Sequence, residues 1–156
     1  MSDTTTNDDL NARRRRMIGR LFLRASQIFQ DTAIHRIQEK GHTEYRIGDN
    51  QVLVHLELAG NRITDLAERA GVTKQAISKV VLDLEQRGVV ERTQDPEDGR
   101  AKIVRLTAAG ETMMMDAFDV VFALDAELTE IIGAERMDIV REALTELLEE
   151  LDPDGF

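Results

Sequence analysis

Thr73, Lys74, Gln75, Ser78 and Lys79 fall within seven residues, and on a helix they would occupy its first two turns. The two ammonium groups suit phosphate oxygens, and so do the two hydroxyls. The Gln75 amide can donate and accept at once, as pairing with an adenine edge requires. Further along stand Asp98, Arg100 and Lys102. A guanidinium on a projecting loop suits a narrow A·T minor groove, and Lys102 suits the backbone. Asp98 could hold Arg100 or Lys79 in place by a charge-assisted hydrogen bond. Taken together, this is chemistry for reading duplex DNA. For any one charged residue alone the alternative is a solvated surface side chain, and Glu97 is read that way.

The elements that must present these groups follow from local signals. Thr64 to Ala70 reads as a short helix, with Thr64 as its N-cap and Asp65 at the positive end of its dipole. Ala67 leaves room for a second helix to cross closely. Gly71 ends the first helix where a left-handed residue is wanted. Thr73 caps the second, whose apolar stripe is Ile77, Val80, Val81 and Leu84. That helix should run to about Arg87 and stop at Gly88. Two short strands follow, Val89 to Arg92 and Ile103 to Leu106, joined by a tip with one Pro and one Gly. Ile63 is expected to supply a third strand. Two helices joined by a tight Gly turn match a DNA-binding helix-turn-helix, and the hairpin would be its wing. An ordinary helical hairpin needs neither a small Ala67 nor a polar outer face at the second N-terminus.

The run from Gly88 to Arg92, followed by Asp95 through Gly110, resembles the wing signature of the MarR family of transcriptional regulators. Thr73 to Lys79 resembles that family's recognition-helix start. Two positions depart from the pattern: Leu82 stands where members commonly carry an aspartate, and Gly99 replaces a frequent arginine. The resemblance implies a mostly α fold, a winged helix-turn-helix with long N- and C-terminal dimerisation helices that interlock between two subunits. It also implies an effector pocket where those helices meet the winged lobe. His42, Tyr45 and Arg46 would lie near it, offering an aromatic face and a cation to a small organic anion such as a phenolic acid.

Net charge is −10, which fits a DNA reader once it is mapped. After Thr107 there are 14 of the 30 acids but only two of the 20 lysines and arginines. The rest of the chain is near neutral, so the acidic end lies away from the module that would approach phosphates. The main work of those acids is to solubilise exposed helix faces. There is no cysteine, hence no disulfide framework and no thiolate metal site. No apolar run is long enough to span a bilayer, and a cytoplasmic location is expected.

The flanks read as helices. Residues 1–9 form a polar, disordered tail. A dimerisation helix occupies 10–45, with apolar rows Met17, Leu21, Ala25, Ile28 and Ile18, Phe22, Phe29, ending near Gly41. The winged helix-turn-helix domain is 46–107 and opens with a helix from about Asp49 to Leu58, its Val52, Leu53 and Leu56 turned inward. C-terminal dimerisation helices fill 108–156. The first is capped by Thr107, carries Met114, Ala117, Phe118, Val121, Leu124, Leu128 and Ile131, and closes at Gly133. The last places Met137, Val140, Leu144, Leu147 and Leu151 in a narrow coiled-coil-like seam before Pro153. These faces exceed what a small winged core can cover, so a second copy of the chain is the simplest partner. A monomer with both helices folded back is the alternative.

Other features are weaker. Arg13 to Arg16 could touch nucleic acid, although balancing the acids of a partner's C-terminal helix is favoured slightly. His35, His42 and His55, near Glu44, match no recognisable zinc spacing, so no metal is expected, and no other cofactor. Met113 to Met115 reads as core filler. The sequence therefore points to a homodimeric regulator, a repressor most simply, at a pseudo-palindromic operator. A small ligand could lower its affinity. The alternative is a winged-helix protein–protein interaction module without specific DNA binding. An enzyme finds no support in any nucleophile, phosphate-loop or paired-carboxylate arrangement.

Overall fold

The computed structural model describes residues 14, 17–96, 98–99 and 101–152. Glu97, Arg100, Arg13, Arg15, Arg16, Pro153 and the tail at 1–9 lie outside the described residues. Among the described residues six α-helices and three strands follow in order. They are α1 (Ile18–Glu39), a 3-10 turn (Ile47–Asp49) leading into α2 (Asn50–Leu53), β1 (Asn61–Arg62), α3 (Ile63–Arg69), α4 (Lys74–Gln86), β2 (Val90–Gln94), β3 (Lys102–Leu106), α5 (Ala108–Ile132) and α6 (Ala134–Leu151). The sheet is antiparallel with β3 in the centre, order β1-β3-β2.

The core is the inner faces of short elements. Val52, Leu53, Leu66, Ile77, Val81, Leu84, Val90 and Val104 are all buried, which joins α2, α3, α4 and the sheet. From the other side α1 contributes Ala33 and Ile37, and α5 contributes Met113, Ala117, Val120 and Leu124. Arg36 on α1 holds Glu127 on α5 through two guanidinium hydrogen bonds of 2.6 and 2.8 Å.

Three local expectations are corrected. The helix expected from Asp49 to Leu58 ends at Leu53. The Glu57 amide that would prolong it donates instead to the Asn61 side chain at 2.7 Å. Thr64 is not the N-cap of α3: the helix begins at Ile63 behind Arg62, and the Thr64 hydroxyl donates to Asp65 at 3.0 Å. Ile63 is likewise not the third strand, which is Asn61–Arg62, paired Asn61 to Val104 and Arg62 to Ile103.

Of the expected stripe of α5 only Ala117 and Leu124 enter the core, beside Met113 and Val120 outside it, whereas Phe118, Val121, Leu128 and Ile131 are exposed. On α6 only Met137 is buried, and Val140, Leu144, Leu147 and Leu151 form an exposed row. On α1, Ile18, Leu21, Phe22 and Ile28 are exposed as well, and so is Met17 at its N-cap. No helix among the described residues is long and apolar enough to cross a membrane.

Candidate nucleic-acid interface

Gly71 takes φ +63°, a left-handed conformation that costs other residues more. Around it the Gly71 amide bonds Glu68 O and the Val72 amide bonds Ala67 O, both at 3.0 Å. The chain thereby reverses in a few residues, and α4 starts with the Thr73 hydroxyl accepting from the Ala76 amide at 3.2 Å. Ile77, Val81 and Leu84 anchor one side of α4 in the core. The other side is turned outward: Thr73, Lys74, Gln75 and Lys79 are exposed and Ser78 is half-buried. All five expected α4 residues thus share one accessible N-terminal surface. The Thr73 hydroxyl spends one acceptor site on its own helix.

The hairpin pairs Val90 with Leu106 through to Gln94 with Lys102. Lys102 is exposed at the first position of β3. At the tip, the Asp95 amide bonds Ala101 O at 3.0 Å and the Ala101 amide bonds Asp98 O at 2.8 Å. The Gln94 side chain donates to Gly99 O. Asp98 is exposed, with a carboxylate oxygen 3.8 Å from the Arg62 guanidinium. Arg100, the expected minor-groove residue, lies outside the described residues.

Sequence reasoning missed the part played by Arg62. Its Nε donates to buried Asp95 at 2.8 Å and its Nη2 stands 2.6 Å from the same carboxylate oxygen. The base of the wing is thereby tied to the strand that precedes α3. On the opposite edge Arg92 of β2 grips Glu85 of α4, and this contact holds the Glu85 carboxyl below its ordinary range despite partial desolvation. Neither link joins sequence neighbours, so no local signal marks them.

His42, Tyr45 and Arg46 are only partly brought together. His42 and Tyr45 line a cavity of about 270 Å³ with Thr43, Arg87 and Met113. Tyr45 also lines a smaller, more apolar one of about 130 Å³ between α1 and α5, with Phe29, Ile37, Met114 and Phe118. Arg46 lines neither; it pairs with Glu44 at 3.2 Å. His42 Nε2 meets Asp116 at 2.8 Å, and Lys40 meets the same residue at 3.0 Å. These bonds, His42 first, hold the Asp116 carboxyl below its usual range. Tyr45 is buried and donates to Asn50 at 2.5 Å. Burial, aided by the Asp49 charge, pushes its phenol up to about 12. The three histidines do not converge: among the described residues no group of three or more His, Asp or Glu side chains stands ready for a metal.

Comparison with known proteins gives one consistent answer. A family model described as "MarR family" matches residues 51–101, from α2 to the wing. The transcriptional regulator HosA of Escherichia coli O111:H- is 29% identical over 83 residues, 53% of this chain and 62% of HosA. The chain therefore spans less than two thirds of the length of that relative. A crystal structure of a MarR-family transcriptional regulator from Rhodococcus sp. RHA1 superposes with a TM-score of 0.68 at 26% identity, covering 89% of this chain and 95% of the other. CouR from Rhodococcus jostii RHA1, solved with p-coumaroyl-CoA, gives 0.68 at 27% identity over 85% and 92%. A CouR structure bound to a 23-mer DNA duplex gives 0.69 at 24% over 84% and 92%. These relatives carry the names of regulators, not of enzymes. The matched module, residues 51–101, spans the helix-turn-helix and the start of the wing, and the likeness to MarR-family structures extends in fold over the flanking helices.

Proposed function

We propose that the chain is a homodimeric, sequence-specific DNA-binding transcriptional regulator of the cytoplasm, acting as a repressor at a pseudo-palindromic operator. The observation that carries this reading is the two-sidedness of α4: its inner face is locked in the core and its outer N-terminal face offers Thr73, Lys74, Gln75, Ser78 and Lys79. Gln75 reads a base edge, and the lysines and hydroxyls meet phosphates. Lys102 meets the backbone beside it, Arg100 enters the flanking minor groove, and Asp98 steadies the tip. DNA in a CouR structure supports the same use of the fold.

Dimerisation is assigned to residues 10–45 and 108–156, which flank the DNA-binding lobe at 46–107. The exposed rows on α1, α5 and α6 support it, since apolar faces of this extent call for a partner. A two-fold dimer presents two copies of α4 to successive major grooves, about one helical turn apart. A small organic ligand in the cavities beside Tyr45 and His42 would release DNA only by binding better to a dimer with the wrong α4 spacing. The p-coumaroyl-CoA in CouR supports this role for a ligand.

Selection of bound sequences from a random duplex pool, with sedimentation of the free protein, tests the reading. Enrichment of a palindrome by a dimer is expected. Absence of any enriched sequence would instead favour a winged-helix module that docks proteins.

A further inference from the structure

Leu82 is the residue of α4 that neither the core nor the reading above accounts for. It is 47% exposed, although Ile77, Val81 and Leu84 around it are fully buried. At 100° per residue, seven positions bring Leu82 within about 20° of Gln75 around the axis and about 10.5 Å further along it. Ser78 and Lys79 fall between them on the same side. The outer face of α4 is therefore a polar row interrupted by one branched apolar side chain, with exposed Gln86 one turn beyond it.

Single exposed leucines are ordinary on protein surfaces; what distinguishes this one is its register with the residues that would face bases. The major-groove edges of the four base pairs are hydrogen-bonding groups with one apolar feature, the thymine C5-methyl. The neighbouring carboxylates do not disturb such a contact. Asp83 is drawn to Arg87 at 2.8 Å, and Glu85 is held by Arg92. An aspartate at this position would present a charge to the phosphates, whereas leucine presents none.

We propose that Leu82 is a specificity-determining residue that packs on a thymine C5-methyl in each half-site, about three base pairs from the pair met by Gln75. This rests on the assignment of α4 as the recognition helix.

The test uses the full-length protein and the duplex it selects from a random pool. Each thymine is replaced singly, in both half-sites, by deoxyuridine, which removes the methyl and keeps every hydrogen-bonding atom. One symmetry-related position should weaken wild-type binding about fourfold per methyl and leave Leu82→Ala binding unchanged. Reselection with Leu82→Asn should alter the preferred base at that position alone. A selected site whose uracil scan affects both proteins alike, or whose sequence is unchanged with Leu82→Asn, overturns the role of Leu82 and leaves the DNA-binding reading intact. A pool that yields no enriched sequence for the wild type overturns both.

Discussion

Arg87 and Asp49 meet through paired hydrogen bonds, Nη2 to Oδ1 at 2.6 Å and Nη1 to Oδ2 at 3.0 Å, with side chains only 12% and 4% exposed. Arg87 is the C-cap of α4, and Asp49 closes the 3-10 turn that enters α2. Arg87 also donates to Glu44 O at 2.8 Å. One guanidinium thus fastens the far end of α4 to the segment that links it to α1. Removing one partner of a buried pair leaves the other desolvated, so Asp49→Ala is expected to cost about 3 kcal/mol. Urea unfolding of Asp49→Ala, Arg87→Met and the double variant checks this. The double should cost less than the sum of the singles, and strict additivity would show that the two do not act as a pair.

Tyr45 is the single tyrosine and there is no tryptophan, so near-ultraviolet absorbance of tyrosinate reports this residue alone. Its phenol, pushed up to about 12, stays neutral in the fold when an unfolded chain has begun to ionise near 10. The sign follows: the contribution of Tyr45 to stability is full below the ordinary tyrosine range and is lost as pH rises from there towards 12. A native-state titration midpoint well above 10 is expected, and Tyr45→Phe should flatten the alkaline part of the stability profile. A midpoint at 10 would mean that the ring is not buried.

Asp116 carries the opposite sign. With its carboxyl held down by His42 and Lys40, its contribution is present above the ordinary aspartate range and disappears as pH falls through its lowered value. Asp116→Asn should therefore be less stable than the wild type at neutral pH, and the gap should close in acid below about pH 4. Urea midpoints from neutral to acid pH measure it. A gap independent of pH would remove these ion pairs from the account.

What was legible in the sequence was local. The Thr73 and Thr107 caps, the turn at Gly71 and the end of α5 at Gly133 each depend on a residue and its immediate neighbours, and each appears in the structure. What was not legible depends on partners far along the chain. The Asn61 amide side chain shortens the helix after Asp49, and Arg62 reaches Asp95 across 33 positions. The α5 stripe was similarly ambiguous. Residues at helical spacing formed two apolar faces, and only packing against α1 and the sheet decides which becomes core. For the site, the α4 residues followed from one helix start, whereas the anchoring of the wing had no local mark.

The exposed seam of α6 gives a direct test of assembly. Leu144 and Leu147 are partly exposed and apolar, so Leu144→Glu with Leu147→Glu should leave the fold intact and place charges in the face proposed for a second chain. Sedimentation should show a shift to monomer, with DNA affinity falling because two half-sites are no longer bound together. Dimers that persist at micromolar concentration in the double variant would put the interface elsewhere.

Gly110 lies in the first turn of α5, where that helix is pressed against the start of β2. A Cβ built there would stand 2.0 Å from the Val89 carbonyl oxygen, far inside any real contact. The obstacle is backbone, and it is pinned: the same oxygen accepts from the Thr107 amide at 3.0 Å, while the Thr107 hydroxyl donates to Gly88 O at 2.6 Å and accepts from the Gly110 amide at 3.0 Å. Relief requires α5 to move away from the sheet and break the cap that starts it. Gly110→Ala should therefore destabilise by about 3 kcal/mol, the upper range of overpacking, even though alanine favours helix elsewhere. Gly48→Ala is the control, because a Cβ there meets nothing within 4 Å and should shift stability by no more than about 0.5 kcal/mol. Urea unfolding of the two variants separates the outcomes. Equal midpoints would mean that α5 does not rest on Val89 and that its direction is set elsewhere.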